Sequence, residues 1–204
     1  YPVFPWILTN YKSETLDLDD ESNYRDLSKP IGALNPTRLE KLIFDYEACP
    51  DSPEKCLYRL HYSTSSYVDH YLLRLEPYTS LHIEMHDSKF DKANRTFWSI
   101  PRSFEAVTSL NNDFRELIPE FFTLPDFLIN RNNFDLGIHE ELNIPISDVV
   151  LPPWSKNADI FISMHRMALE SKYVSQHINE WIDLIFGYKQ SGEKKQNIMI
   201  KYPL

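Results

Sequence analysis

The chain is 204 residues long, 42% hydrophobic and 25% charged, with a formal net charge of -9. That length holds one domain with a substantial core and excludes two large ones. The acidic balance argues against a nucleic-acid backbone as the main partner, because phosphate binding needs clustered cations. No apolar run approaches the ~20 residues that span a bilayer.

The first thirty-odd residues read as extended, proline-marked chain. Pro2 and Pro5 hold their predecessors out of the helical region, and the aromatics around them are too many for a solvated tail. The segment is therefore buried extended chain or a strand edge. The acids Asp17, Asp19, Asp20 and Glu21 mark a solvated loop. Asn35 then offers an N-cap and Pro36 a first helical position, with Leu39, Leu42, Ile43 and Tyr46 on one helical face. A second helix starts in the hydroxyl run Ser63–Ser66, carries Tyr67, Val68, Tyr71, Leu72 and Leu75 inward, and stops at Pro77.

Beyond Pro77 the alternation of Leu81, Ile83 and Met85 with polar residues predicts a half-buried strand. Phe90 to Leu110 has helical spacing at Ala93, Thr96, Phe97 and Ile100, broken or restarted at Pro101. From Phe114 to Val150 the chain is apolar without a period, and Pro119, Pro125 and Pro145 interrupt it. Such a stretch is buried irregular backbone, whose N–H and C=O groups need side-chain partners. Asn132 and Asn133 are the residues expected to bond to it. Two well-marked helices close the chain. One carries Ile160, Phe161, Met164 and Ala168 and is capped near Asn157 or Asp159. The other carries Ile178, Trp181, Ile182 and Ile185, with Ser175 as cap and Gly187 as terminator.

Candidate chemistry is sparse. Four glycines stand against 14 prolines, and the spacing Gly187 to Gly192 lacks the Lys-Ser/Thr of a phosphate loop. His82, Glu84 and His86 form H-x-E-x-H, which on a helix would turn Glu84 away from the histidines. Cys49 and Cys56 have no second pair to complete a zinc site, and two cysteines are too few for a disulfide framework. Asn94-Arg95-Thr96 is a formal glycosylation sequon. Lys189, Lys194, Lys195 and Lys201 are too spread for a lipid-binding patch. Glu116, Glu120, Asp126 and Asp135 lie among aromatics, and Trp98 and Trp154 could stack on sugar rings. A hydrolase using Glu116, Glu120 or Asp135 is the alternative reading, and it requires those carboxylates to meet in one cleft. No catalytic, metal or cofactor residue is assigned.

Seven strings, taken together and in order, resemble the BEACH domain of the beige/Chediak–Higashi and neurobeachin type. They are Tyr1-Pro-Val-Phe-Pro-Trp6, Arg25-Asp-Leu-Ser-Lys-Pro30 with Gly32-Ala-Leu-Asn-Pro36, and His61-Tyr-Ser63 leading into Tyr71–Pro77. Then come Glu116-Leu-Ile-Pro-Glu-Phe-Phe122, Asn132-Asn-Phe-Asp-Leu-Gly137, Val149-Val-Leu-Pro-Pro-Trp154 and Glu180-Trp-Ile-Asp-Leu-Ile-Phe-Gly-Tyr-Lys-Gln190. The resemblance implies a mainly α fold, with helices around a core of extended segments. Residues 1–204 would be one BEACH domain, truncated at its N-terminal end and slightly at its C-terminal end. It implies a non-enzymatic scaffold module in vesicle trafficking, cytoplasmic and peripheral to intracellular membranes. Its partners would be an upstream PH-like domain, downstream WD repeats and trafficking proteins. The loops Asp87–Asp91, Glu140–Ser147 and Cys49–Cys56 depart from the family pattern and read as variable surface.

Overall fold

The computed structural model describes residues 2–50, 57–58 and 62–190. Among them are six α-helices and one two-stranded hairpin, so the domain is mainly α. The N-terminal segment is buried extended chain. Trp6, Ile7, Leu8 and Tyr11 are all inside. Its backbone pairs by short bridges, Phe4 with Leu117 and Leu8 with Tyr24. The Arg25 N–H donates to the Ile7 carbonyl at 2.7 Å. The acidic loop behind it is largely exposed, and Asp20 caps a short 3₁₀ turn at Glu21–Asn23.

Helix α1 (Pro36–Ala48) begins at Asn35, whose side chain accepts the Arg38 N–H at 3.2 Å, with Pro36 in the first turn. Its buried positions are Arg38 and Leu42, whereas Ile43 is partly exposed, so a cation shares the inner face that the apolar spacing suggested. Helix α2 (Ser65–Leu72) is capped by Thr64 and buries Val68, Tyr71 and Leu72. It ends before Pro77.

Pro77 then stands as N-cap to α3 (Tyr78–Met85), where the alternating pattern had pointed to a strand. The physical reason lies in the packing of α3 against α2. Thr79 and His82 are its buried positions, three apart, and they set a helical register that the Leu81/Ile83/Met85 alternation conceals. Residues Ala93–Arg95 form only a 3₁₀ turn, and Thr96 and Phe97 continue as extended chain instead of helix. Helix α4 (Ile100–Ser109) restarts at Pro101 with Ser99 as cap.

Between α4 and α5 the chain is irregular, as the lost periodicity implied. It contains 3₁₀ helices at Pro119–Phe122 and Asp126–Leu128 and a hairpin of β1 (Ile138–His139) and β2 (Ile144–Pro145). Phe121 sits at its centre with no exposure. Its ring lies 4.9 Å from both Tyr71 and Phe127 and 6.1 Å from Trp6, which joins α2, the irregular segment and the extended N-terminal chain.

Helices α5 (Ala158–Leu169) and α6 (Lys172–Ile185) pack as neighbours across a short joint. Asn157 caps α5. The cap of α6 is Ser171, which accepts the Val174 N–H at 3.2 Å; Ser175 lies inside the first turns. Gly187 follows the end of α6, where a Cβ would come within 2.7 Å of the Asp183 backbone. Its service is close approach, not a left-handed conformation.

Candidate functional site

Three buried arginines hold the irregular backbone. Arg25 has no exposed surface, and its guanidinium donates to the Trp6 carbonyl at 3.4 Å, to the Lys29 carbonyl at 3.1 Å and to Glu116 at 2.8 Å. Arg38 donates to the carbonyls of Val107 and Asp113 and lies over the Phe114 ring. Arg74 donates to Ser147 and Phe97 carbonyls, both at 2.8 Å. Burial pulls the pKa of Arg38 and Arg74 down to about 10, which leaves both charged at neutral pH. Arginine suits this work because its planar fork presents several N–H donors in fixed directions.

The asparagine expectation is corrected accordingly. Asn132 and Asn133 are exposed, and Asn133 adopts a left-handed φ of 52°. The buried one is Asn130. Its amide donates to the Phe134 carbonyl at 2.9 Å and accepts the Phe134 N–H at 3.0 Å, while its own N–H goes to Asp148. The signal in the sequence was an asparagine cluster, and solvent claimed the two members at the turn's outer corner.

The carboxylates singled out for hydrolysis do not meet in a described cleft. Glu116 is buried and fully engaged by Arg25, the Trp6 N–H at 3.0 Å and the Trp181 indole at 3.3 Å. Asp126 pairs with Arg131 at 3.0 Å, and Asp135 is exposed and accepts the Gly137 N–H. Neither of the two larger described cavities is lined by these residues or by Glu120. Trp154 is buried, with its indole N–H on the Asn10 carbonyl at 2.8 Å and its ring stacked on Phe161. Trp98 packs edge-on to His139.

His82 of α3 and His86, the residue that caps its C-terminus, bring their rings together with centroids 4.3 Å apart. His82 Nδ1 meets Asp69 Oδ2 at 3.0 Å, and His86 Nδ1 donates to the His82 carbonyl. Among the described residues no group of three His, Cys, Asp or Glu side chains could hold a metal ion. Asn94 of the sequon is tied to Glu140, accepting its N–H at 2.8 Å, and Thr96 is buried. Cys56, Gly192, Lys194, Lys195 and Lys201 lie outside the described residues. No described helix is long and apolar enough to cross a membrane.

One surface feature escaped the sequence. A groove of about 680 Å³ runs between Val3, α2, α3 and the end of α6. Leu81, Met85 and Phe186 line it while 47%, 55% and 61% exposed. The spacing of Leu81 and Met85, four apart on one helix, was the available clue, and it was hidden by the strand reading.

The architecture defines a mainly helical module whose interior is irregular chain pinned by buried arginines. The Beige/BEACH domain family matches residues 1–202, and the chain belongs to that family. It is 50% identical over 196 residues to BEACH domain-containing protein B of Arabidopsis thaliana, covering 95% of this chain and 8% of that protein. Over 195 residues it is 48% identical to BEACH domain-containing protein lvsD of Dictyostelium discoideum, 95% of this chain and 6% of the relative. A putative neurobeachin homolog of Caenorhabditis elegans shares 49% over 193 residues, 94% of this chain and 8% of the relative. The chain thus spans under a tenth of the length of these relatives.

Proposed function

We propose that the domain is a non-enzymatic interaction module of a much larger protein, acting in vesicle trafficking and membrane dynamics. A PH-like domain upstream and WD repeats downstream are its neighbours in the parent chain. It works in the cytoplasm, peripheral to intracellular membranes. The observation that carries this reading is the apolar groove, where three large side chains from α3 and the end of α6 stand half exposed on one face. Large apolar side chains clustered at a surface are where partners gain their binding energy. Membership of a family whose named relatives include neurobeachin homologs points the same way.

The test is proximity labelling with the full-length parent, compared with a parent lacking residues 1–204. Trafficking proteins on intracellular membranes are expected to drop out of the labelled set when the segment is removed. An unchanged set refutes the assignment of partner recruitment to this domain.

A further inference from the structure

The turn after α3 is fastened to a buried histidine whose two ring nitrogens have opposite duties. His82 is 4% exposed, and its Nε2 accepts the Asp91 N–H at 3.4 Å. A backbone N–H only donates, so this nitrogen is bare and the neutral ring carries its proton on Nδ1. Nδ1 stands 3.0 Å from Asp69 Oδ2 on α2 and donates to it. Asp91 also brings its carboxylate to the same place. Its Oδ2 lies 3.8 Å from His86 Nε2, and its Oδ1 pairs with Arg95. His86 Nδ1 donates to the His82 carbonyl at 2.7 Å. The His82 ring is therefore faced from α2 by Asp69 and by His70, which burial holds neutral. From its own helix it is faced by His86, and from the turn by Asp91 with Arg95 behind. Within the turn, Asp87 and Ser88 take left-handed φ values of 56° and 63°. Two adjacent residues other than glycine keep that conformation only where their surroundings hold it.

A proton added to His82 goes to Nε2, the one ring position that is free. The new N–H then points at the Asp91 N–H, and two donors cannot share a hydrogen bond. The nearest charged acceptor belongs to the same residue. We propose that residues 87–92 form a proton-sensitive switch, in which protonated His82 gives up the Asp91 backbone N–H and takes the Asp91 carboxylate in its place. The proton comes from solvent, the bond from the Asp91 N–H to Nε2 breaks, and a bond from Nε2–H to the carboxylate forms. Arg95, whose side chain is 66% exposed, loses its partner and turns to water. The bond from His82 to Asp69 gains charge assistance in the same step, so α3 stays tied to α2. Acid thus reshapes the turn and leaves the groove wall in place, whatever occupies the groove.

The test is an NMR titration of the 204-residue chain from about pH 8 to about pH 5, the range in which histidines change charge. Long-range imidazole nitrogen correlations are expected to show His82 with its proton on Nδ1 at the upper end. The Asp91 amide resonance should shift with the midpoint of His82. Its protection from exchange, corrected for the intrinsic effect of pH, should fall about fivefold, the worth of one such bond. Asp91→Asn keeps the N–H but removes the charged acceptor, so His82 should then take its proton about one pH unit lower. His86→Gln removes the neighbouring charge, and the Asp91 amide should still follow His82. The first two readouts use the unaltered protein, so they decide the matter even where a variant fails to fold. Three results overturn the proposal: a proton on Nε2 at about pH 8, an Asp91 amide that does not follow His82 or falls silent in His86→Gln, and a His82 midpoint unmoved by Asp91→Asn.

Discussion

Replacing Glu116 by glutamine tests the central electrostatic claim of the fold. Arg25 and Glu116 are 2.8 Å apart, with side chains 0% and 1% exposed. Glutamine keeps the shape but removes the counter-charge, and it turns one acceptor oxygen into an NH₂ facing donors from Arg25, Trp6 and Trp181. Breaking a buried pair from one side leaves an uncompensated charge, which costs about 3–5 kcal/mol. Each kcal/mol moves the melting temperature of a domain this size by roughly 2–4 °C, so Glu116→Gln should melt about 6–20 °C below wild type. Urea titration of the 204-residue chain followed by circular dichroism gives the free energy directly. The cycle with Arg25→Met apportions it. The double variant should lose at least ~1 kcal/mol less than the sum of the singles, because the second removal takes away a charge already stranded. A loss below ~1 kcal/mol for Glu116→Gln, or strict additivity, would show that the interior is wet enough to solvate Arg25 by itself, and the reasoning would fail.

Asn130→Ala should cost about 1–3 kcal/mol because the Phe134 N–H and C=O both lose a partner; Asn132→Ala should melt within ~0.5 kcal/mol of wild type, and equal melting of the two would refute the assignment. Gly32→Ala should destabilise by about 1–3 kcal/mol, since a Cβ there would lie 2.2 Å from the Tyr58 ring; an unchanged denaturation midpoint would contradict this packing. His165 is buried against Phe161 and Trp154, and burial pulls its pKa down to about 3. The unfolded chain takes a proton there near pH 6.5 and the folded one does not, so its share of stability is lost as pH falls between those values, at about 1.4 kcal/mol per pH unit. His70 acts with the same sign, whereas Asp69, raised by burial, gives stability at low pH that is lost as pH rises past its ordinary value. Stability curves from pH 7 to pH 4 should be flatter for His165→Phe than for wild type, and parallel curves would sink the claim.

Helices were legible where punctuation and period agree. Asn35-Pro36 and Asn157 start α1 and α5 as the residues suggest, because a cap needs only its own next turn. The α6 cap missed by four residues because Ser171 and Ser175 are chemically equal candidates one helical turn apart, and only the join to α5 decides between them. The α3 error has a different origin. In a segment as short as Tyr78–Met85 the apolar residues fit period 2 nearly as well as period 3.6, and the deciding partner, Asp69 on α2, is 13 residues away.

The polar partners of the irregular core were the hardest to see, and the separations explain why. Arg38 reaches carbonyls 69 and 75 residues along the chain, and Arg74 reaches one 73 residues along. Asn130 makes its bonds to Phe134 only four residues on, the short range over which sequence reasoning can pair an asparagine with backbone. Long-range backbone support needs reach and several donors at once, which only arginine combines. Arg25, Arg38 and Arg74 look in the sequence like any surface cation, and a chain with a net charge of -9 gives no hint that these three positive charges are buried.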